Sequence, residues 1–185
     1  MSSSPQRLQS KQARLWSAAV LATAAVTTAL IVLLWPILPA PTRILLGGGE
    51  TQNHLWGLWV AAEGLWSSSP LVLITDTVNY PEGISQDMAD PFHVLLFAPL
   101  LWMGGGGLEG AVLGWNGLYA ITCVLAGLGG WLLARRMLED PMGAAVAAAV
   151  MASTPCLLTH ALSGRTEYLA GAWYPLHLAF LHAHL

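Results

Sequence analysis

The sequence predicts an all-α polytopic transmembrane helix bundle whose large exoplasmic first loop carries interfacial helices. Three observations lead there. Only 9% of the 185 residues are charged and 55% are hydrophobic, whereas a soluble domain has about 25% charged residues. Acids and bases are segregated: residues 44–109 hold Glu50, Glu63, Asp76, Glu82, Asp87, Asp90 and Glu109 but no Lys or Arg. Nine Trp are present, several at the ends of apolar runs, where an indole is apolar in body yet keeps an N–H that seeks a partner.

Residues 1–14 are polar and carry Arg7, Lys11 and Arg14 without an acid, the composition of a cytoplasmic tail under the positive-inside rule. Residues 15–38 are 24 positions without a charge, about 36 Å as a helix and enough to cross a hydrocarbon core of about 30 Å. This is the expected first span. A cleaved signal peptide fits less well, because its apolar core is usually about 7 to 15 residues long.

Pro36, Pro39 and Pro41 end that helix, and Gly47 to Gly49 lead into Glu50. The exoplasmic segment 39–109 follows. Within 51–66, Leu55, Trp56, Leu58, Trp59, Val60, Ala62, Leu65 and Trp66 recur at roughly helical spacing, with Gln52, His54, Gly57 and Glu63 expected opposite. Such a helix suits the membrane interface, Trp side down. The β-prone run 71–78 is interrupted on both sides by Ser, Pro, Asn and Gly and reads as irregular loop. Asp90 before Pro91 is an N-cap followed by proline at the first helical position. The helix expected over 91–103 is too short to cross, which makes it re-entrant or juxtamembrane. Gly104 to Gly107 reads as a flexible break, since a phosphate loop would need Lys and Ser/Thr after it.

Residues 110–134 are the second span, 25 positions without a charge, and Arg135 and Arg136 follow. If 91–103 does not cross, this span runs outside to inside and five of the seven basic residues share the cytoplasmic side. A cytoplasmic turn, 135–141, leads to an alanine-rich third span, 142–158, in which Pro155 is tolerated as a kink. An exoplasmic loop, 159–167, and a fourth span, 168–185, complete the pattern. Because the sequence stops inside that span, the chain is expected to be part of a longer polytopic protein. Cys123 and Cys156 lie in apolar segments without disulfide or zinc spacing and read as buried thiols.

Polar chemistry is then confined to the exoplasmic side. Glu50 and Glu167 stand near the outer ends of spans, where two converging carboxylates suit metal-assisted or base-assisted group transfer, although solvated interfacial acids have the same spacing. His54 lies one turn beyond Glu50, Asp87 is a further candidate acid, and Arg165 suits a bidentate grip on a phosphate.

The order of a basic tail, a span, GGGETQNHLWGLW, a loop with YPEG, a span ending LLARRM, an alanine-rich span and SGRTEYLAGAWYPLHLAF resembles the N-terminal part of bacterial GT-C superfamily glycosyltransferases, within them a YfhO-like branch. The resemblance implies transfer of a sugar from a polyprenyl-phosphate-linked donor on the exoplasmic face of a bacterial inner membrane. It assigns Glu50 and Glu167 as catalytic acids or ligands of a divalent cation, Mg or Mn, with Arg165, His54 and Asp87 toward substrate. Both acids are Glu where the family commonly has Asp. The expected partners are the lipid-linked donor and membrane lipids, and not nucleic acid. A non-catalytic transport or assembly subunit, its acidic loop a partner surface, is the alternative.

Overall fold

The computed structural model describes residues 5–65, 74–75, 84–85, 91–138, 140–154, 159, 163 and 167–184. Its elements are α1 (Pro5–Leu34), α2 (Thr51–Gly64), β1 (Ile74–Thr75), β2 (Ile84–Ser85), α3 (Pro91–Met103), α4 (Gly107–Met137), α5 (Pro141–Ala152), a 3-10 helix (Glu167–Trp173) and α6 (Tyr174–His184). The described residues are thus largely helical, apart from one short antiparallel pairing of Ile74 with Ser85 and Thr75 with Ile84. Among the described residues, two helices are long and apolar enough to cross a membrane, α1 over Gln12–Leu34 and α4 over Gly107–Met137.

The chain divides into two compact units, the first made of Met1–Leu33, Ile121–Leu158 and Ala170–Leu185. Small residues set its packing. Ala18 and Ala22 of α1 form a buried cluster with Ala145 and Ala148 of α5, and Trp131 of α4 packs against it. A Cβ on Gly127 would lie 2.7 Å from Val26 Cγ2, and one on Gly130 2.8 Å from the Ala147 carbonyl oxygen. Without side chains there, helix backbones approach to distances that dispersion can stabilise in a medium as apolar as themselves. Val26 sits beside Gly127, and Arg14 lines a common hollow with Arg135. α1 and α4 therefore run antiparallel, with those two arginines at one end. Trp16, Val20, Leu21, Ile31 and Val32 stand exposed on α1, an apolar outer face of the kind that contacts lipid or protein.

The expected third and fourth spans are occupied by shorter helices. Asp140 caps α5, accepting from the Met142 and Gly143 amides at 3.3 and 2.8 Å, and α5 has 12 residues before Ser153 closes it. Pro155 lies just beyond, and the residues before a proline are steered away from helical geometry; residues 155–158 fall outside the described ones. Over 168–185 the chain forms the 3-10 helix and then α6, of 11 residues. Pro175 is the second residue of α6, where its missing N–H is tolerated but cannot continue the preceding turns.

The second unit comprises Leu34–Ala120 and Thr159–Leu169. Here α2 packs on α3, and α3 folds back along the first half of α4. Gly105, Gly106 and Gly107 take φ values of 83°, 71° and 58°, left-handed geometry that glycine adopts without a Cβ penalty. The Gly104 and Gly106 amides bond the Leu100 and Leu101 carbonyls at 3.0 and 2.9 Å, and a Cβ on Gly110 would run into the Leu101 carbonyl oxygen. What reads in sequence as a flexible break is a bonded helical corner. Beyond it Phe97 faces Gly114 and Leu100 faces Gly117, so α3 and α4 form an antiparallel hairpin.

That hairpin changes the reading of α2. His54 and Gly57 were expected on its polar side, yet both are buried with Thr51, Leu55, Leu58 and Ala62. Thr51, Leu55, Leu58 and Ala62 recur every three or four residues, whereas Gln52, Asn53 and Glu63 are exposed and Trp56 and Trp59 half-buried. The α2 surface is apolar on more than one side, so the docking partner selects which stripe is buried.

Candidate functional site

The site begins with how the segment after α1 is held. Ile37 and Leu46 are buried, and tight turns bond Ile37 to Leu34, Ala40 to Ile37 and Ile44 to Ala40. Four further backbone groups are met by α4. Asn116 donates through Nδ2 to the Pro41 and Ile44 carbonyls, both at 2.8 Å, and its Oδ1 accepts from the Leu46 amide at 2.9 Å. Trp115 Nε1 donates to the Leu46 carbonyl at 2.6 Å, and its ring meets Tyr119 edge-on at 5.2 Å. Arg43 Nε reaches Glu109 Oε1 at 3.1 Å on the exposed rim. Two adjacent side chains of α4 thus clamp 41–46, about seventy residues away in sequence.

This clamp delivers Glu50. Gly47 turns the chain with φ 130°, the Thr51 amide bonds the Gly48 carbonyl at 3.1 Å, and Glu50 occupies the N-cap position of α2 without its side chain capping the helix. The carboxylate instead lies 3.9 Å from His54 Nε2 across one helical turn, with the Glu50 side chain 46% exposed and that of His54 6%. At 3.9 Å the separation is longer than a hydrogen bond. The helix N-terminus, with its unsatisfied amides, also favours negative charge at this position. A half-exposed carboxylate beside a buried imidazole can accept a proton from a hydroxyl arriving from solvent.

Of the other residues singled out by sequence, Glu167 begins the 3-10 helix and falls in the same compact unit as Glu50; its side chain lies outside the described residues, as do Arg165, Asp87 and Asp90. Glu50 and His54 are therefore the pair brought together. Neither Trp115 nor Asn116 was anticipated. The available signal was a lone amide within 25 uncharged residues, because polar groups in such segments are rare and partnered. Thr51 Oγ1 is also buried, without a hydrogen-bond partner among the described residues.

A divalent cation asks more donors than this pair offers. No group of three His, Cys, Asp or Glu side chains converges among the described residues, and the Glu167 side chain expected to join Glu50 as a ligand lies outside them. No family model, characterised protein or solved structure matches the chain.

Proposed function

We propose that the chain is a multi-pass protein of a bacterial inner membrane that transfers a sugar from a polyprenyl-phosphate-linked donor on the exoplasmic face, in the manner of GT-C glycosyltransferases. Its basic tail and Arg135–Arg136 are cytoplasmic and 39–109 is exoplasmic. The antiparallel pairing of α1 with α4 supports this orientation, since it gathers Arg14 and Arg135 at one end as the positive-inside rule asks.

The reading rests above all on Glu50, a half-exposed carboxylate beside a buried histidine on a segment braced by Trp115 and Asn116. Bracing matters because a base acts only from within hydrogen-bond reach of the proton it takes. The acceptor oxygen attacks the anomeric carbon, the bond to the lipid phosphate breaks with its electron pair on phosphate, and the acceptor proton passes to Glu50. Configuration inverts. Glu167 keeps the second catalytic or cation-ligand role, and Arg165, His54 and Asp87 the substrate-side roles, that the resemblance implies.

The test is Glu50→Gln in the full chain, assayed with a radiolabelled polyprenyl-phosphate sugar. Loss of a general base lowers turnover by about 10² to 10⁴-fold. Turnover equal to the parent removes the assignment and leaves the acidic unit as a partner surface of a non-catalytic subunit.

A further inference from the structure

Two hollows of the first unit lie on consecutive turns of the same helices. One, of about 390 Å³, is lined by Arg14 and Leu15 of α1, Arg135 of α4 and Asp140 at the start of α5. The other, of about 420 Å³, is an apolar groove between α1 and α4, lined among others by Ala22, Val26, Thr27, Gly127 and Trp131. Both volumes fall within the range of about 300 to 1,000 Å³ typical of small-molecule sites. On α1 the lining residues step from Leu15 to Ala19, Ala22, Val26 and Leu30, intervals of three and four that keep to one helix face.

We infer that these hollows form a single site for an anionic phospholipid, its phosphate between Arg14 and Arg135 and an acyl chain in the groove. The cationic end supplies the charge complement. Asp140 also lines it while its carboxylate oxygens accept the Met142 and Gly143 amides, so the two arginines face one acid and the hollow keeps a net positive charge. The geometry matches in length: Leu30 lies about 24 Å along the axis from Arg14 at 1.5 Å per residue, more than the depth of one leaflet, about half of a 30 Å core. Basic pockets between membrane helices on the cytoplasmic side bind such headgroups by this arrangement. A second copy of the chain is a poor occupant, since its own tail, with Arg7, Lys11 and Arg14, would meet like charge at the same level. The site rests on the membrane reading of α1 and α4 and is independent of sugar transfer.

The test uses the purified full chain in a neutral detergent, with retained lipid counted by native mass spectrometry after adding phosphatidylglycerol or phosphatidylcholine of equal chain length. Phosphatidylglycerol is retained preferentially, and Arg14→Gln and Arg135→Gln each weaken retention about fivefold, as expected for one basic group near a lipid phosphate. Thr27→Trp, at an exposed position on the groove, obstructs the chain and lowers retention without touching either arginine. Equal retention of phosphatidylcholine overturns the proposal. So does competition by glycerol phosphate as effective as by the intact lipid, which would mean an anion site without a chain, and so does a dimer that Thr27→Trp dissociates.

Discussion

Asn116→Ala is the sharpest probe of how Glu50 is held. The side chain is 3% exposed and makes three hydrogen bonds to 41–46, one of them to the buried Leu46 amide. Truncation strands that amide, which costs about 1–3 kcal/mol, and removes two donors from carbonyls that water can partly reach, at about 0.5–1.5 kcal/mol each. Because relaxation and water entry recover part of this sum, a local loss of about 3 kcal/mol is expected, or roughly a hundredfold in the opening equilibrium at 1.4 kcal/mol per tenfold. Hydrogen exchange of the full chain in nanodiscs reads it directly. Peptides covering 41–50 should exchange about a hundredfold faster, while those covering α5, which Asn116 does not touch, keep their rates. Asn116→Asp retains the acceptor for Leu46 but loses both donors, and should fall between the two. Unchanged protection over 41–50 in the alanine variant would refute the clamp.

Gly110→Ala drives a methyl into the Leu101 carbonyl and should destabilise the α3–α4 corner by about 1–3 kcal/mol, seen as a lower urea midpoint; a neutral result would mean that the corner relaxes freely. Glu109→Gln breaks an ion pair whose side chains are 75% and 58% exposed, so its effect should stay below about 1 kcal/mol and vanish at high salt. In a background with Cys123→Ala and Cys156→Ala, single cysteines at Gln52 and at Met137 should label from opposite sides of intact inner-membrane vesicles. Labelling from a common side would cancel the exoplasmic placement of Glu50.

The existence of α1, α2, α3 and α4 was legible because their signals are local. Uncharged length marks α1 and α4, the Pro91 start and the glycine stop mark α3, and the run after Gly49 marks α2. What was not legible depends on partners. Nothing near His54 in sequence says that its face will be buried, since α2 carries apolar residues on several sides. Likewise the alanine-rich stretch reads as one span through Pro155, although α5 closes at Ala152. The Gly104–Gly107 run shows only that side chains are absent; its left-handed geometry follows from helices that it joins. Asn116 is the extreme case, because its three partners lie from 70 to 75 residues away.

The length of α4 gives that asparagine its meaning. At 31 residues the helix is about 46 Å long, some ten residues more than the roughly 20 needed to cross a bilayer core. The polar contacts it makes with 41–46 come from Glu109, Trp115 and Asn116, all within its first ten residues. In the proposed orientation these residues are the exoplasmic surplus, and the remaining glycine-rich turns are the crossing. A shorter helix would cross equally well but would leave the segment before Glu50 without its brace. Shortening α4 by one turn before Trp115 should therefore preserve membrane insertion yet alter exchange over 41–50, whereas one turn removed after Cys123 should disturb insertion and the packing against Val26. If both deletions had the same effect, the division of labour along α4 would have no physical basis.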